Sequence, residues 1–324
     1  MLIRLFKGVL PSKLFLAVLI SIVGWLPFFI WETPAEQKFT MEFISNFFVW
    51  ANLQWCYVTH VTIFLLASVL SIYLVQFNFK YIVIDERTYL PASILILLSI
   101  FISKTPNAIN ILVLSIIWLM CYDILYAQAG FKISVKSMFN AGLLLAIGSL
   151  FIWQSIFLIP LIWALSFISN NFNIRGVLSI IVGFFTFWLL LFYGMFYFDI
   201  FNEFTENILA QIAWKKQYIG FSILEQIPLL LASVLILIGF LATLIGLSNK
   251  KIITRKYYST FYLSVLLITI LTVSIPQIPL EYFFLTTIPL TFVAANYLLQ
   301  TRLKWIPNII FALFFMGIAL FWIL

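Results

Sequence analysis

Apolar residues fill this chain in long blocks broken by short polar punctuation, unlike the alternating or one-faced patterns of soluble strands and helices. Cutting the sequence at its charges leaves ten charge-free stretches: 14–31, 57–77, 88–103, 105–122, 137–174, 176–198, 226–249, 257–280, 282–301 and 305–324. Nine suit a single helical crossing, which takes about 20 residues for roughly 30 Å of hydrocarbon. The stretch 137–174 would extend about 57 Å as one helix at 1.5 Å per residue and must fold back. Gln154 and Ser155 near its middle and Pro160 beyond predict two short helices, 139–151 and 157–169, joined by a tight turn.

That fold-back gives about eleven crossings, and the distribution of cations supports the parity. With the N-terminus cytoplasmic and the C-terminus periplasmic, the inner loops hold Arg4, Lys7, Lys13, Lys80, Arg87, Lys132, Lys136, Arg175, Lys250, Lys251, Arg255, Lys256, Arg302 and Lys304, 14 of 18. The outer loops keep only Lys38, Lys104, Lys215 and Lys216. A single crossing in the long stretch would split the cations 9 to 9. Eight of the eleven carboxylates, Glu32, Glu36, Glu42, Asp199, Glu203, Glu206, Glu225 and Glu281, then fall on or near the outer face.

Composition narrows the class. With 64% hydrophobic and 9% charged residues, the chain is neither a soluble domain nor a disordered one. Cys56 and Cys121 form no CxxC pair, so a disulfide scaffold and a cysteine metal site have no basis. The net charge of +7 is spread over short loops beside anionic lipid rather than gathered in one patch, which predicts no nucleic-acid partner. Arg4, Lys7 and Lys13 before an apolar run imitate a secretory signal, but no small-x-small site follows near Trp31; the expectation is an uncleaved first helix.

Two outer loops are long, 32–56 and 199–224. In the second, Phe201, Phe204, Ile208 and Ile212 recur at helical spacing while Glu203, Asn207 and Gln211 occupy another face. In the first, Phe39, Phe43 and Phe47 make an i, i+4, i+8 line, with Trp50 and Trp55 as headgroup-depth anchors. Both read as interfacial helices over the outer side of the bundle. They either seal its rim or form a lipid-facing vestibule.

Ionisable groups inside spans are few. His60, the only histidine, lies about one turn below the outer surface; it is either a proton relay or a hydrogen-bonding partner of a neighbouring helix, and a multi-histidine metal site is excluded. Asp123, at the inner end of its span, is expected to pair with Lys132 or Lys136. Glu32 follows the first span and Glu36 lies one helical turn on, so both can face one pocket, as a general base or as ligands of a divalent cation. Lys38, Lys215 and Lys216 are the outer cations available to a lipid-linked phosphate. The competing explanation is that negative outer loops are what remains when cations are retained inside. On the inner side, 85–92 (DERTYLPA) reads as a helix-start cap, or as a docking loop.

Three segments carry a family likeness. IRLFK at 3–7 with Pro11-Ser12, RTYLPA at 87–92 and FNIRG at 172–176 resemble an uncharacterised family of multi-spanning inner-membrane proteins of Bacteroidota. Some of its members carry a carotene-monooxygenase label, a chemistry that a single histidine does not support. More distantly, the order of first helix, long acidic outer loop and hairpin, AGLLLAIG at 141–148 through LIP at 158–160, resembles the C-type glycosyltransferases, which use polyprenyl-phosphate sugars. That likeness covers about residues 1–200 as a glycosyltransferase-like membrane module, with 201–324 adding an amphipathic segment and further helices of one continuous membrane domain. It implies a catalytic role for Glu32 or Glu36. The family's paired acidic residues are absent, and the loop 104–107 holds no carboxylate, so an active enzyme and a degenerate relative both fit.

The sequence thus predicts an all-α polytopic bundle in the bacterial inner membrane, with membrane lipids as partners. Its expected role is handling a lipid-linked envelope component, with a polyprenyl-phosphate-linked sugar as substrate. The rivals are a non-enzymatic subunit or scaffold bound to other envelope proteins, and a transporter, which would show broken helices and a polar midplane path; no inverted repeat is evident.

Overall fold

The computed structural model describes residues 18, 22–26, 56–197, 240, 241, 244, 246 and 250–300, apart from 85–86, 104, 106, 128–133, 169–172 and 276–277. The described residues form helices and connecting turns, with no strand among them. In chain order the helices are α1 (Cys56–Tyr81), α2 (Leu90–Ser103), α3 (Ala108–Tyr126), α4 (Val135–Phe151), α5 (Leu158–Ile168), α6 (Ile174–Tyr197), α7 (Ile252–Ser274) and α8 (Thr287–Gln300). A 3-10 turn, Trp153–Phe157, joins α4 to α5, and a second, Leu280–Thr286, leads into α8. Five segments are long and apolar enough to cross a bilayer: Val58–Tyr81, Ala108–Tyr126, Ile174–Tyr197, Ile252–Ser274 and Leu280–Gln300. Both expected interfacial helices, in 32–56 and 199–224, lie outside the described residues.

Local chemistry sets where the helices begin and end. The Thr88 hydroxyl accepts from the Leu90 amide at 3.2 Å, and Pro91 sits in the first turn, where its missing N–H costs no helical bond. This is the capping role expected of the 85–92 segment. Ser134 caps α4, its Oγ accepting from the Ser137 amide at 3.1 Å. At the C-terminus of α1, Ile82 takes a left-handed conformation (φ 50°) and donates to the Asn78 carbonyl, while the Asn78 side chain accepts from the Ile84 amide at 3.1 Å. A β-branched residue in that conformation is strained, and Asn78 secures the turn that requires it.

Apolar side chains are buried between helices and also cover the outside. Trp118, Phe77, Phe261 and Phe292 are fully or almost fully enclosed. On α6, by contrast, Val182, Phe185, Leu189 and Phe196 are more than half exposed, as hydrocarbon solvent permits. At one end of the bundle an aromatic layer ties four helices together: Tyr126 stacks on Tyr257 with ring centres 4.4 Å apart, Phe261 stacks on Phe292 at 5.3 Å, and Phe77 of α1 meets both Tyr126 and Phe292. The Tyr126 hydroxyl donates to the Tyr257 carbonyl or to Thr260 Oγ1. Far earlier in the chain, Trp25 packs edge-on against Phe64, with its Nε1 3.4 Å from the Ile96 carbonyl oxygen.

The fold-back expected within 137–174 is present. Ser155 Oγ donates to the Leu145 carbonyl at 3.0 Å, turning the chain back on α4, and α5 then carries it away. Helices α4 and α6 consequently run parallel: Ser179 Oγ donates to the Val135 carbonyl at 2.7 Å near their starts, and Trp188 Nε1 donates to Ser149 Oγ at 3.0 Å near the far end of α4. Their contact is the most extensive between any two described helices. Gly142 and Gly183 make it possible, because a Cβ at either would overlap the backbone carbonyl of Ile180 or of Phe139.

Candidate functional site

The bundle has two chemically different ends. Asp123 and Glu281 are the two acidic residues among those described, and they lie at opposite ends, since Asp123 belongs to the last turns of α3 while Glu281 contacts Asn107 just before its start. The separation is roughly 24 Å along α3 at 1.5 Å per residue. All the described cations, Lys80, Arg87, Lys136, Arg175, Lys250, Lys251, Arg255 and Lys256, occupy helix termini at the Asp123 end. Ring contacts fix this placement at several points: Phe79 with Tyr89, Tyr81 with Tyr257, and Tyr126 with Tyr257.

At the Asp123 end, Lys80 Nζ lies 2.8 and 3.1 Å from the two Asp123 carboxylate oxygens, and the Tyr81 hydroxyl donates to Oδ1 at 2.6 Å. This corrects the expected pairing of Asp123 with Lys132 or Lys136. Lys136 is exposed, Lys132 lies outside the described residues, and the partner comes from the last turn of α1. Parallel α1 and α3 place their C-terminal turns side by side, so a cation 43 positions upstream reaches the carboxylate. Half of the Lys80 side chain is exposed, which limits the ion pair to about 0.2–1 kcal/mol, whereas a hydrogen bond to a charged group contributes about 1.5–3 kcal/mol. Asp123→Ala is therefore expected to cost about 2 kcal/mol and Lys80→Ala less than about 1 kcal/mol, measured by thermal unfolding in one detergent.

At the other end, Asn107 Nδ2 donates to Glu281 Oε1 at 3.2 Å across 174 residues of sequence, and Glu281 is only 8% exposed. The next residue, Tyr282, is fully buried and donates its hydroxyl to the Gln154 carbonyl at 3.2 Å, joining the second 3-10 turn to the first. The loop that lacks a carboxylate of its own thus receives one from the helix start near residue 280. In the sequence Glu281 stands at a helix end on this side, among the few ionisable groups beside a span, and it is the only acidic residue from 226 to 324.

His60 lies in the second turn of α1, near that same end, and is 1% exposed. Glu32, Glu36, Lys38, Lys215 and Lys216 lie outside the described residues. Among the described residues, α1 begins and α6 finishes at the Glu281 end. Among the described residues, no group of three His, Cys, Asp or Glu side chains is placed to hold a metal ion.

The chain matches no family model, no curated protein and no solved structure.

Six buried hydroxyls between the two ends make helix-internal bonds. Ser99, Ser115, Ser149, Ser264, Thr272 and Thr291 each donate to a carbonyl three or four residues earlier on their own helix. Ser149 also accepts from Trp188 Nε1 across to α6.

Proposed function

We propose that this chain is a multi-pass protein of the bacterial inner membrane that handles a lipid-linked envelope component at the Glu281 end. Glycosyl transfer from a polyprenyl-phosphate donor is the reaction proposed for it. The observation that carries this reading is the Glu281–Asn107 pair, a nearly buried carboxylate held at the rim of the bundle and the only described acid at that end. A carboxylate kept in such a position is a functional hypothesis by default, as a base for an acceptor hydroxyl or a ligand of a divalent cation. The start of α1 and the end of α6, from which the segments bearing Glu32, Glu36, Lys38, Lys215 and Lys216 depart in sequence, lie at this end.

In this reading the cationic end faces the cytoplasm, by the positive-inside rule, and the chain crosses about eleven times with its C-terminus periplasmic. The parallel course of α4 and α6 supports the parity, because it requires a return between them.

The test is genetic and quantitative. Glu32→Gln and Glu36→Gln, introduced separately into the native locus, should each abolish rescue of a deletion strain while membrane abundance stays within about twofold of the parent. Full rescue by both would remove these two carboxylates from the mechanism and leave the scaffold reading, in which the same loops bind another envelope protein.

A further inference from the structure

Two donors inside the bundle bond to no protein group. Trp118 Nε1 and the Tyr122 hydroxyl, one turn apart on α3, belong to side chains with no exposed surface, and neither atom has a hydrogen-bond partner. An unpaired donor is costly in low-dielectric surroundings, and buried polar groups in native proteins almost always bond to protein or to ordered water. The two rings meet edge-on with centres 5.1 Å apart, and Tyr122 meets Phe261 of α7 edge-on at 5.6 Å, so packing holds both donors in place.

Ser264, one turn beyond Phe261 on α7, is also fully buried. The Trp118 indole and the Ser264 hydroxyl are the hydrogen-bonding side chains that act on the Tyr122 oxygen, yet neither is placed to bond it directly. Polar atoms that face one another just beyond bonding distance are the usual setting of a bridging water.

The proton inventory selects the occupant. Ser264 Oγ donates its proton to the Phe261 carbonyl at 2.7 Å, so towards Tyr122 it can only accept. Trp118 Nε1 can only donate, and the Tyr122 hydroxyl has a proton to give. One water molecule accepts from both and donates to Ser264 Oγ, which makes about three hydrogen bonds, the usual number for a buried water. An ion would lack a countercharge, because Asp123, the described acid at this end, is engaged by Lys80 and Tyr81. We infer that one ordered water is bound between α3 and α7, bridging Trp118 Nε1, the Tyr122 hydroxyl and Ser264 Oγ. Trp118 and Tyr122 belong to the apolar segment Ala108–Tyr126, so this water is held within the part of the protein that hydrocarbon surrounds.

The test is structure determination of the full-length protein in lipid nanodiscs at about 2 Å or better, where single waters are visible. The wild-type protein should show one solvent peak about 2.7–3.2 Å from all three polar atoms. The double variant Tyr122→Phe, Ser264→Ala should lose it, since one remaining hydrogen bond does not hold a water among apolar groups. Ser99→Ala, which removes a buried hydroxyl from α2, should keep it. The wild-type result decides without any variant: direct hydrogen bonds from Trp118 and Tyr122 to each other or to Ser264, with no peak between them, overturn the proposal. So does a peak with contacts shorter than about 2.5 Å, which would mark a cation, or a peak that persists at full height in the double variant.

Discussion

Glu281→Gln should abolish function in a complementation assay while the protein remains folded and present at parental abundance. The glutamine keeps an oxygen where Asn107 Nδ2 donates, so the contact that joins the two chain regions survives and only the charge is lost. Glu281→Ala separates the two effects. It removes the acceptor as well, leaving the Asn107 amide without the oxygen it reaches at 3.2 Å, and should cost about 1–3 kcal/mol in thermal unfolding in addition to the loss of function. A Gln variant that rescues fully would mean that Glu281 only latches the second 3-10 turn to the start of α3.

Gly183→Leu should be among the most destabilising single changes in the described bundle, at roughly 3 kcal/mol or more. Its Cβ would meet the Phe139 carbonyl and the Leu143 amide, which are backbone and cannot rotate away as a side chain could. Gly142→Leu meets the Ile180 backbone in the same way. To accommodate either, α6 must move off α4, with loss of the Ser179–Val135 and Trp188–Ser149 bonds. Gly194 on the same helix is the control: nothing lies within 4 Å of a Cβ there, so Gly194→Leu should unfold at the parental temperature. Parental stability in Gly183→Leu would contradict the close parallel packing.

In the described regions the eight helices fall where the charge-free stretches place them, and five segments are long and apolar enough to cross a bilayer. The return within 137–174 was readable from length alone, and it falls at Trp153–Phe157, beside Gln154 and Ser155. Helix ends were less legible. Cutting at charges stopped one span at 122, whereas α3 runs to Tyr126, and began another at 257, whereas α7 starts at Ile252 with Arg255 and Lys256 inside it. Charged side chains at the boundary reach water or a partner from within the helix, so a charge marks the interface and not the last helical residue. Pairings were the least legible. The Asp123–Lys80 bridge depends on α1 and α3 running parallel, and the Glu281–Asn107 contact links residues 174 apart; neither relation leaves a local pattern in the sequence.

The central claim is that hydrocarbon surrounds this bundle and that the chain returns between Lys136 and Arg175, leaving both on the cationic, cytoplasmic side. It is tested most directly by substituted-cysteine labelling in a background with Cys56 and Cys121 replaced. Lys136→Cys and Arg175→Cys should both react with a membrane-impermeant maleimide in inside-out vesicles, and neither should react in intact spheroplasts. Labelling of the two positions from opposite sides of the membrane would contradict it.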